Sequence, residues 1–462
     1  QGTVRKARGP IADLEPVGLQ ALFVPFLENW LAYSQRGVPE RIDVADHLKH
    51  DYYQSLQHYH LALQHRLSGN AQAAEASYQT ALSTLREAPD RAVISALRFY
   101  LQRDDEAKAV SLLKKVRKSH PRNAFWHIAA PEAYLKQFGA DNGFGVDSVA
   151  GGMAESLANI GHLLAREDAH EQGQILLRLA LYIRPDDALS RLALAASLER
   201  EERYQGAITL YKSITAPAFA RRYSRLRLAR TYSERGENEK ARALLAQLHP
   251  DVPRSYPIDV MLADMAREDE AYQKAVGHYT DALASLPEVT REDWSLFYRR
   301  GIMYDLADNW QKARQDFDKA LSLNPGEPQV MNYLGYSLLM RDESLDRARD
   351  MLERAVAKRP RNGHILDSYG WALYKHGSYQ DALHYLEKAL GQLPGDPTVN
   401  DHYADTLWRL GRQTEAKYHW ERALFFKPSE QEDAKAIRRK LKRGMPAQQP
   451  SQHSDAGSES GS

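Results

Sequence analysis

Residues 297–325 read FYRRGIMYDLADNWQKARQDFDKALSLNP, and the spacing of a few small and apolar side chains in this stretch decides the fold. Gly301, Ala313, Phe317, Ala320 and Pro325 follow one another at gaps of 12, 4, 3 and 5. The same template recurs at Gly370, Ala382, Leu386, Ala389 and Pro394, and again at Ala404, Ala416, Trp420, Ala423 and Pro428. Gly335, Ala348, Leu352, Ala355 and Pro360 carry it with one extra residue. Upstream it fits Gly161, Gly173, Leu177, Ala180 and Pro185, then in shorter form Ala195 with Ala207, Ala229 with Ala241, and Ala263 with Ala275. Two more copies start at Ala62 and Leu97. The second marker stands at 173, 207, 241, 275, 313, 348, 382 and 416, so the period is 34 with two longer steps of 38 and 35.

A period in this range is the signature of a stacked-repeat architecture. Small residues recur where two helix axes must approach closely, so Gly301 and Gly370 on a first helix are expected to face Ala313 and Ala382 on a second. Gly69, Gly236, Gly377 and Gly411 fall at the intervening turn, where a helix end calls for a residue tolerant of positive φ. Pro325, Pro360, Pro394 and Pro428 stop the second helix, because proline cannot continue the hydrogen-bond ladder.

This pattern resembles the tetratricopeptide repeat family over residues 51–428. The resemblance implies an all-α superhelical solenoid of about ten to eleven helix-turn-helix repeats, whose first helices line a concave groove for a protein or peptide partner. The Trp that many family repeats carry early is replaced by Phe297, Leu366 or Asn400. The family's Lys and Asn clamp for a chaperone's C-terminal carboxylate is missing, since its groove places hold Tyr298 and Ile302. More narrowly, LGYSLL, DSYGWALY and NDHYADTLWRLGR are similar to long tetratricopeptide proteins of Gram-negative, especially alphaproteobacterial, genomes. That likeness implies a periplasmic or membrane-associated location, with the cytoplasm as the alternative.

Outside the array, residues 1–50 hold an amphipathic helix around Leu14 to Tyr33 and a linker. The helix is read as a cover for the first repeat or as the remnant of earlier ones. The chain starts with Gln, and QGTVRKARG is no signal peptide, so residue 1 is expected to follow a processing event or a cut. Residues 122–152 read as a degenerate repeat followed by a Gly-rich surface loop, FGADNGFGVDSVAGG. Residues 429–443 read as a capping helix with an N-cap Ser, early acids and late bases. Residues 444–462 read as a disordered tail.

Composition narrows the chemistry. The 462 residues carry 62 Lys+Arg against 61 Asp+Glu, a net charge of +1, so no global field gathers nucleic acid. The absence of Cys removes disulfides, thiolate metal sites and cysteine nucleophiles. No apolar run approaches the ~18 residues that span a bilayer; Leu19 to Tyr33 is interrupted by Pro25, Glu28 and Asn29. Gly143-Phe-Gly145-Val-Asp-Ser148 lacks the third Gly and the preceding strand of a dinucleotide fingerprint. His58, His60 and His65 have no carboxylate at ligand spacing and read as solvated helix histidines. No catalytic residue, metal or cofactor is assigned. Arg438, Arg439, Lys440, Lys442 and Arg443 form the one concentrated charge, which reads as the basic end of the cap helix or as a weak anionic-membrane contact.

The last three first helices carry the candidate binding groove: Asn332 and Tyr336; Asp367, Trp371 and Tyr374; Asn400, Asp401, His402, Asp405 and Trp408. Amide, carboxylate and aromatic groups one turn apart suit a peptide. The competing reading makes the Asn and Asp residues helix caps and the aromatics inter-repeat filling. The expected function is a non-catalytic interaction scaffold within an envelope assembly. The alternatives are an adaptor in lipopolysaccharide or exopolysaccharide assembly, or an enzyme-like groove of Asp401, His402 and Asp405.

Overall fold

The computed structural model describes residues 20–42, 51–86, 88–120, 122–128, 145–166, 169–248, 255–286, 288–428 and 431–446. The C-terminal tail after 446, residues 129–144 of the degenerate repeat and Gly-rich stretch, and Ser429 lie outside the described residues. Every regular element among them is helical, in two units, Gln1–Val289 and Thr290–Ser462.

In the first unit α1 (Gln20–Arg36) precedes α2 (Asp51–Leu67) and α3 (Ala71–Ala81), α4 (Asp90–Leu101) and α5 (Glu106–Ser119), and a short α6 (Ala124–Ile128). Four further hairpins follow: α7 (Val149–Arg166) with α8 (His170–Ile183), α9 (Ala188–Arg200) with α10 (Tyr204–Ser213), α11 (Ala218–Glu234) with α12 (Asn238–Leu248), and α13 (Tyr256–Glu268) with α14 (Tyr272–Ala284). The helix expected around 14–33 is α1, whose described part begins at Gln20. It covers the first repeat: Trp30 Nε1 donates to His60 Nδ1 at 2.9 Å, and Gln64 Nε2 donates to Asn29 Oδ1 at 2.6 Å. The Gly-rich stretch is not a loop throughout. Gly151 and Gly152 belong to α7, and a Cβ on Gly152 would stand 2.3 Å from the Trp30 indole, so glycine there lets α1 and α7 touch. A buried ion cluster ties these layers together. Arg91 donates to Glu155 at 2.6 and 2.7 Å and to Asp187 at 2.8 Å, and Arg184 and Tyr59 also reach Glu155.

In the second unit a 3₁₀ turn (Arg291–Asp293), closed by a capping box between Thr290 and Asp293, starts the array. Four hairpins follow: α15 (Trp294–Leu306) with α16 (Trp310–Leu323), α17 (Pro328–Met340) with α18 (Leu345–Lys358), α19 (Gly363–Lys375) with α20 (Tyr379–Gln392), and α21 (Pro397–Arg409) with α22 (Gln413–Phe425). Both units are therefore stacks of antiparallel helical hairpins, as the repeat predicts. The small markers do what close packing demands: a Cβ on Gly301 would lie 2.7 Å from the Phe317 ring, and one on Gly370 2.7 Å from Leu386.

The hairpin turns take positive φ at Gly69, Gly236, Gly377 and Gly411, as expected. In other copies an acidic residue holds the same left-handed place: Asp104, Glu202, Glu270, Asp308 and Asp342. The extra residue of the third-last copy sits in the turn after α17, where Ser344 is also left-handed. The last helix, α23 (Gln431–Arg443), lies within the expected 429–443.

Candidate functional site

N-caps in the second unit are supplied by residues that precede the first helices, not by the polar residues within them. Asn362 accepts from Ile365 N–H, Asp396 from Thr398 and Val399 N–H, and Glu327 from Gln329 N–H. The reading of Asn332, Asp367, Asn400 and Asp401 as caps is corrected accordingly: all four lie inside their helices.

Asn400 does not belong to an open face. It is fully buried, and its amide donates to the Pro394 and Asp396 carbonyls at 3.2 and 2.8 Å while its oxygen accepts from Arg422 Nε at 3.3 Å. It ties the turn before α21 to α22. Asp367 and His402 form a buried pair between α19 and α21, with His402 Nδ1 3.0 and 3.1 Å from the two carboxylate oxygens. Burial opposes charge on this imidazole, but Asp367, Asp401 and Asp405 outweigh it and hold its pKa above the ordinary value. The His402 ring stacks on Trp371 at 4.0 Å and 11°, and Trp371 stacks on Tyr374 at 4.5 Å and 6°. Three predicted groove aromatics thus build one inter-repeat stack.

Asp401 and Asp405 stand one turn apart on α21 and face a partner that the sequence reading had placed elsewhere. Lys440 of α23 donates to Asp401 at 2.8 and 2.9 Å and to Asp405 at 2.7 Å. Trp420 Nε1 donates to the other Asp405 oxygen at 2.8 Å. Burial and the neighbouring charge of Asp401 push the Asp405 carboxyl up to about 6, against the pull of Lys440 and Trp420. Trp408 leans on Trp420 at 5.3 Å, and its edge meets Gly444, where a Cβ would lie 2.3 Å away. Arg409 Nη1 donates to the Pro446 carbonyl at 2.8 Å. Two expectations change. Lys440 is an ion-pair partner within the fold and is not available for a membrane surface, whereas Arg438, Arg439, Lys442 and Arg443 are exposed. Asp401, His402 and Asp405 also fail to converge on one point: the carboxylates turn to α23 and α22, the imidazole to α19.

Asn332 and Tyr336 line a cleft of about 320 Å³ with Asp305, Tyr333, Met340 and Arg341. Asp305 is held there by Tyr333 Oη at 3.1 Å and Arg341 Nη2 at 2.6 Å. Burial, then Asp367 and Asp433, push the Tyr336 phenol up to about 12. Asn332 Oδ1 and Trp371 Nε1 are buried, and neither has a hydrogen-bond partner among the described residues.

Gly444, Asp305 and Arg341 carry no signal in the repeat template, and Lys440 stands in the sequence only as one base of the cap helix. A signal lies in the period instead, because contacts between successive repeats recur one period apart: Asp367 with His402, Tyr374 with Arg409 and Asp405 with Lys440 are each separated by 35. The first unit carries a larger cleft of about 580 Å³, bordered by Arg86, Arg166, Arg200 and His162. Burial and the arginines Arg166, Arg91 and Arg200 push His162 down to about 4.

Known proteins share these repeats. Family models described as tetratricopeptide repeat match residues 223–252 and 260–427. The chain is 28% identical over 152 residues to TPR repeat-containing protein PA4667 of Pseudomonas aeruginosa, a stretch that covers 32% of this chain and 25% of that protein. The match thus takes in only about a quarter of the relative's length. Among solved structures, PilW, described as a widely conserved type IV pilus biogenesis factor, is 22% identical with a TM-score of 0.37, covering 41% of this chain and 85% of its own. YrrB, described as a TPR protein with an unusual peptide-binding site, is 18% identical with a TM-score of 0.33, covering 42% of this chain and 97% of its own. The matched ranges, the 34-residue period and the helical hairpins together show that residues 223–252 and 260–427 are tetratricopeptide repeats.

Proposed function

We propose that the protein is a non-catalytic interaction scaffold that holds a protein or peptide partner along the first helices of its second unit. One observation carries this reading: the cleft of about 320 Å³ that Asn332, Tyr333, Tyr336 and Met340 of α17 line with Asp305 and Arg341. Its amide and charged groups can bond an extended peptide backbone, and Tyr336 and Met340 give side chains an apolar seat. Asp305, Arg341, Asp367 and His402 nearby are engaged in ion pairs, which favours recognition over proton transfer. The setting in a Gram-negative envelope assembly is the finer part of the proposal and rests on the likeness of residues 51–428 to long repeat proteins of those genomes. A weak contact of Arg438, Arg439, Lys442 and Arg443 with anionic lipid fits that setting.

The test is co-purification from native membrane and soluble fractions with the full chain and with Tyr336→Ala/Met340→Glu. The proposal expects one polypeptide to be retained by the former and lost by the latter at equal thermal stability. Identical retention by both rejects it.

A further inference from the structure

The cleft of about 580 Å³ in the first unit gathers charge of one sign. Arg86, Arg91, Arg166, Arg200 and Arg227 all line it, whereas Asp90 is the one carboxylate among its described lining residues. The chain as a whole balances 62 bases with 61 acids, and elsewhere its arginines meet carboxylates, as Arg184 meets Glu155, Arg300 meets Asp316 and Arg341 meets Asp305. Two of the cleft's arginines are satisfied in this way, Arg91 by Glu155 and Asp187 and Arg227 by Glu199. Arg86, Arg166 and Arg200 form no ion pair among the described residues. Asp90 is turned elsewhere, its Oδ1 accepting the Trp126 indole N–H at 3.0 Å.

The cations are placed at one end of an apolar wall. On α9, Leu189, Leu192, Ala193 and Ala196 recur at helical spacing and share one face, which reaches Arg200 one turn further on. On α7, His162 and Arg166 also stand one turn apart on the cleft side. Arg200 Nη1 donates to the Ala165 carbonyl, which draws its guanidinium to the end of α7 beside Arg166. Phe125 and Tyr223 meet edge to face at 5.1 Å and 82° and add an aromatic corner to the same cleft. His162 registers the local field: burial, then the charges of Arg166, Arg91 and Arg200, hold its imidazole near 4, so at neutral pH it is an uncharged hydrogen-bonding group between the guanidiniums.

We infer that this cleft binds a small organic phosphate monoester with an aromatic or apolar body, its phosphate between Arg166 and Arg200 and its body along the α9 wall. Three cations without an ion pair against one carboxylate leave an excess of two positive charges. A phosphate monoester carries close to two negative charges near neutral pH and matches that excess, whereas a carboxylate matches half of it. Guanidinium forks suit its oxygens, which two arginines can grip bidentately. The volume falls within the range of roughly 300–1,000 Å³ that small-molecule sites occupy. Inorganic phosphate would satisfy the arginines but leave the α9 wall and the Phe125 and Tyr223 corner to water. The ligand and the unit differ from those of the partner-holding cleft, so the two readings stand or fall separately.

The test is calorimetric titration of the full chain with phenyl phosphate as the probe, in about 0.15 M salt so that loose surface attraction is screened. Saturable binding is expected, roughly tenfold or more tighter than that of inorganic phosphate, which lacks the ring, and of benzoate, which lacks the second charge. Arg166→Gln and Arg200→Gln are each expected to weaken phenyl phosphate by roughly tenfold or more. Arg361→Gln makes the same charge change at an exposed turn of the second unit and is expected to leave binding unaltered. Arg166 is exposed and without an ion pair, so the helical signal of its variant is expected to match the parent's, which separates lost binding from lost folding. No saturable binding at about 10 mM overturns the inference. So does equal affinity for phenyl phosphate and either other anion, or equal affinity of the Arg166→Gln and Arg361→Gln chains. A phosphotyrosine tripeptide that binds roughly tenfold more tightly than phenyl phosphate would overturn the small-molecule assignment and make the occupant a phosphorylated protein.

Discussion

Acid should loosen the first unit through one histidine. His60 is fully buried, its Nδ1 accepts the Trp30 indole N–H at 2.9 Å, and its Nε2 has no partner among the described residues. A proton on Nδ1 would break the Trp30 bond and put a charge in an apolar site. Burial therefore lowers its pKa from 6.5 to about 4, with Glu155 opposing and Arg91 assisting. A group with a depressed folded pKa contributes stability that is present above the unfolded value and is lost as pH falls through the folded one. The gap between 6.5 and about 4 corresponds to roughly 3 kcal/mol, disappearing across that window. His162, also held near 4, loses stability over the same range, so the diagnostic quantity is a difference between two proteins. His60→Gln keeps an acceptor for Trp30 but cannot titrate. Guanidinium unfolding of both proteins at pH 7.5, 6, 5 and 4, followed by circular dichroism, should show the variant losing about 3 kcal/mol less than the parent over that span. Parallel pH profiles for the two would show that His60 is not the acid-sensitive group.

Three further outcomes follow from the packing. Gly370→Ala should cost about 1–3 kcal/mol, because its Cβ meets Leu386 at 2.7 Å, whereas Gly377→Ala, with open space but φ of 80°, should cost about 1 kcal/mol of backbone strain alone; urea unfolding separates the two. Glu155→Ala should cost about 3–5 kcal/mol at pH 7 by leaving Arg91 in the buried cluster short of its main partner, and a loss below 1 kcal/mol by the same assay would show the cluster to be solvated. Trp371→Ala should lower the melting temperature as well as any partner affinity, since the ring is the middle of the Tyr374, Trp371 and His402 stack; an unchanged melting temperature would make it a surface residue.

The repeat was legible because close helix packing leaves a mark that composition cannot mimic: at Gly301 over Phe317 and Gly370 over Leu386 a Cβ fits only if its neighbour shifts. Turns were legible only where glycine filled them. Asp308, Glu202 and Glu270 hold the same left-handed place, and nothing in a lone acid announces it. Gly151 and Gly152 misled for the opposite reason, since a helix contact with Trp30 asks for the same residue as a loop. At the candidate site the aromatics and acids were found, but their partners came from other helices. Asp401 and Asp405 read as groove groups, yet their meaning depends on Lys440, which lies in a helix outside the template and looked like one base among several.

If the first helices of the second unit hold a partner, site-specific photo-crosslinking in the native cell captures it. A benzophenone amino acid at Tyr336, in the cleft of α17, should give a discrete adduct with one other polypeptide, while the same probe at Tyr418, exposed on the second helix α22, should not. The same adducts from both positions, or none from Tyr336, would show that these helices hold no partner in the cleft.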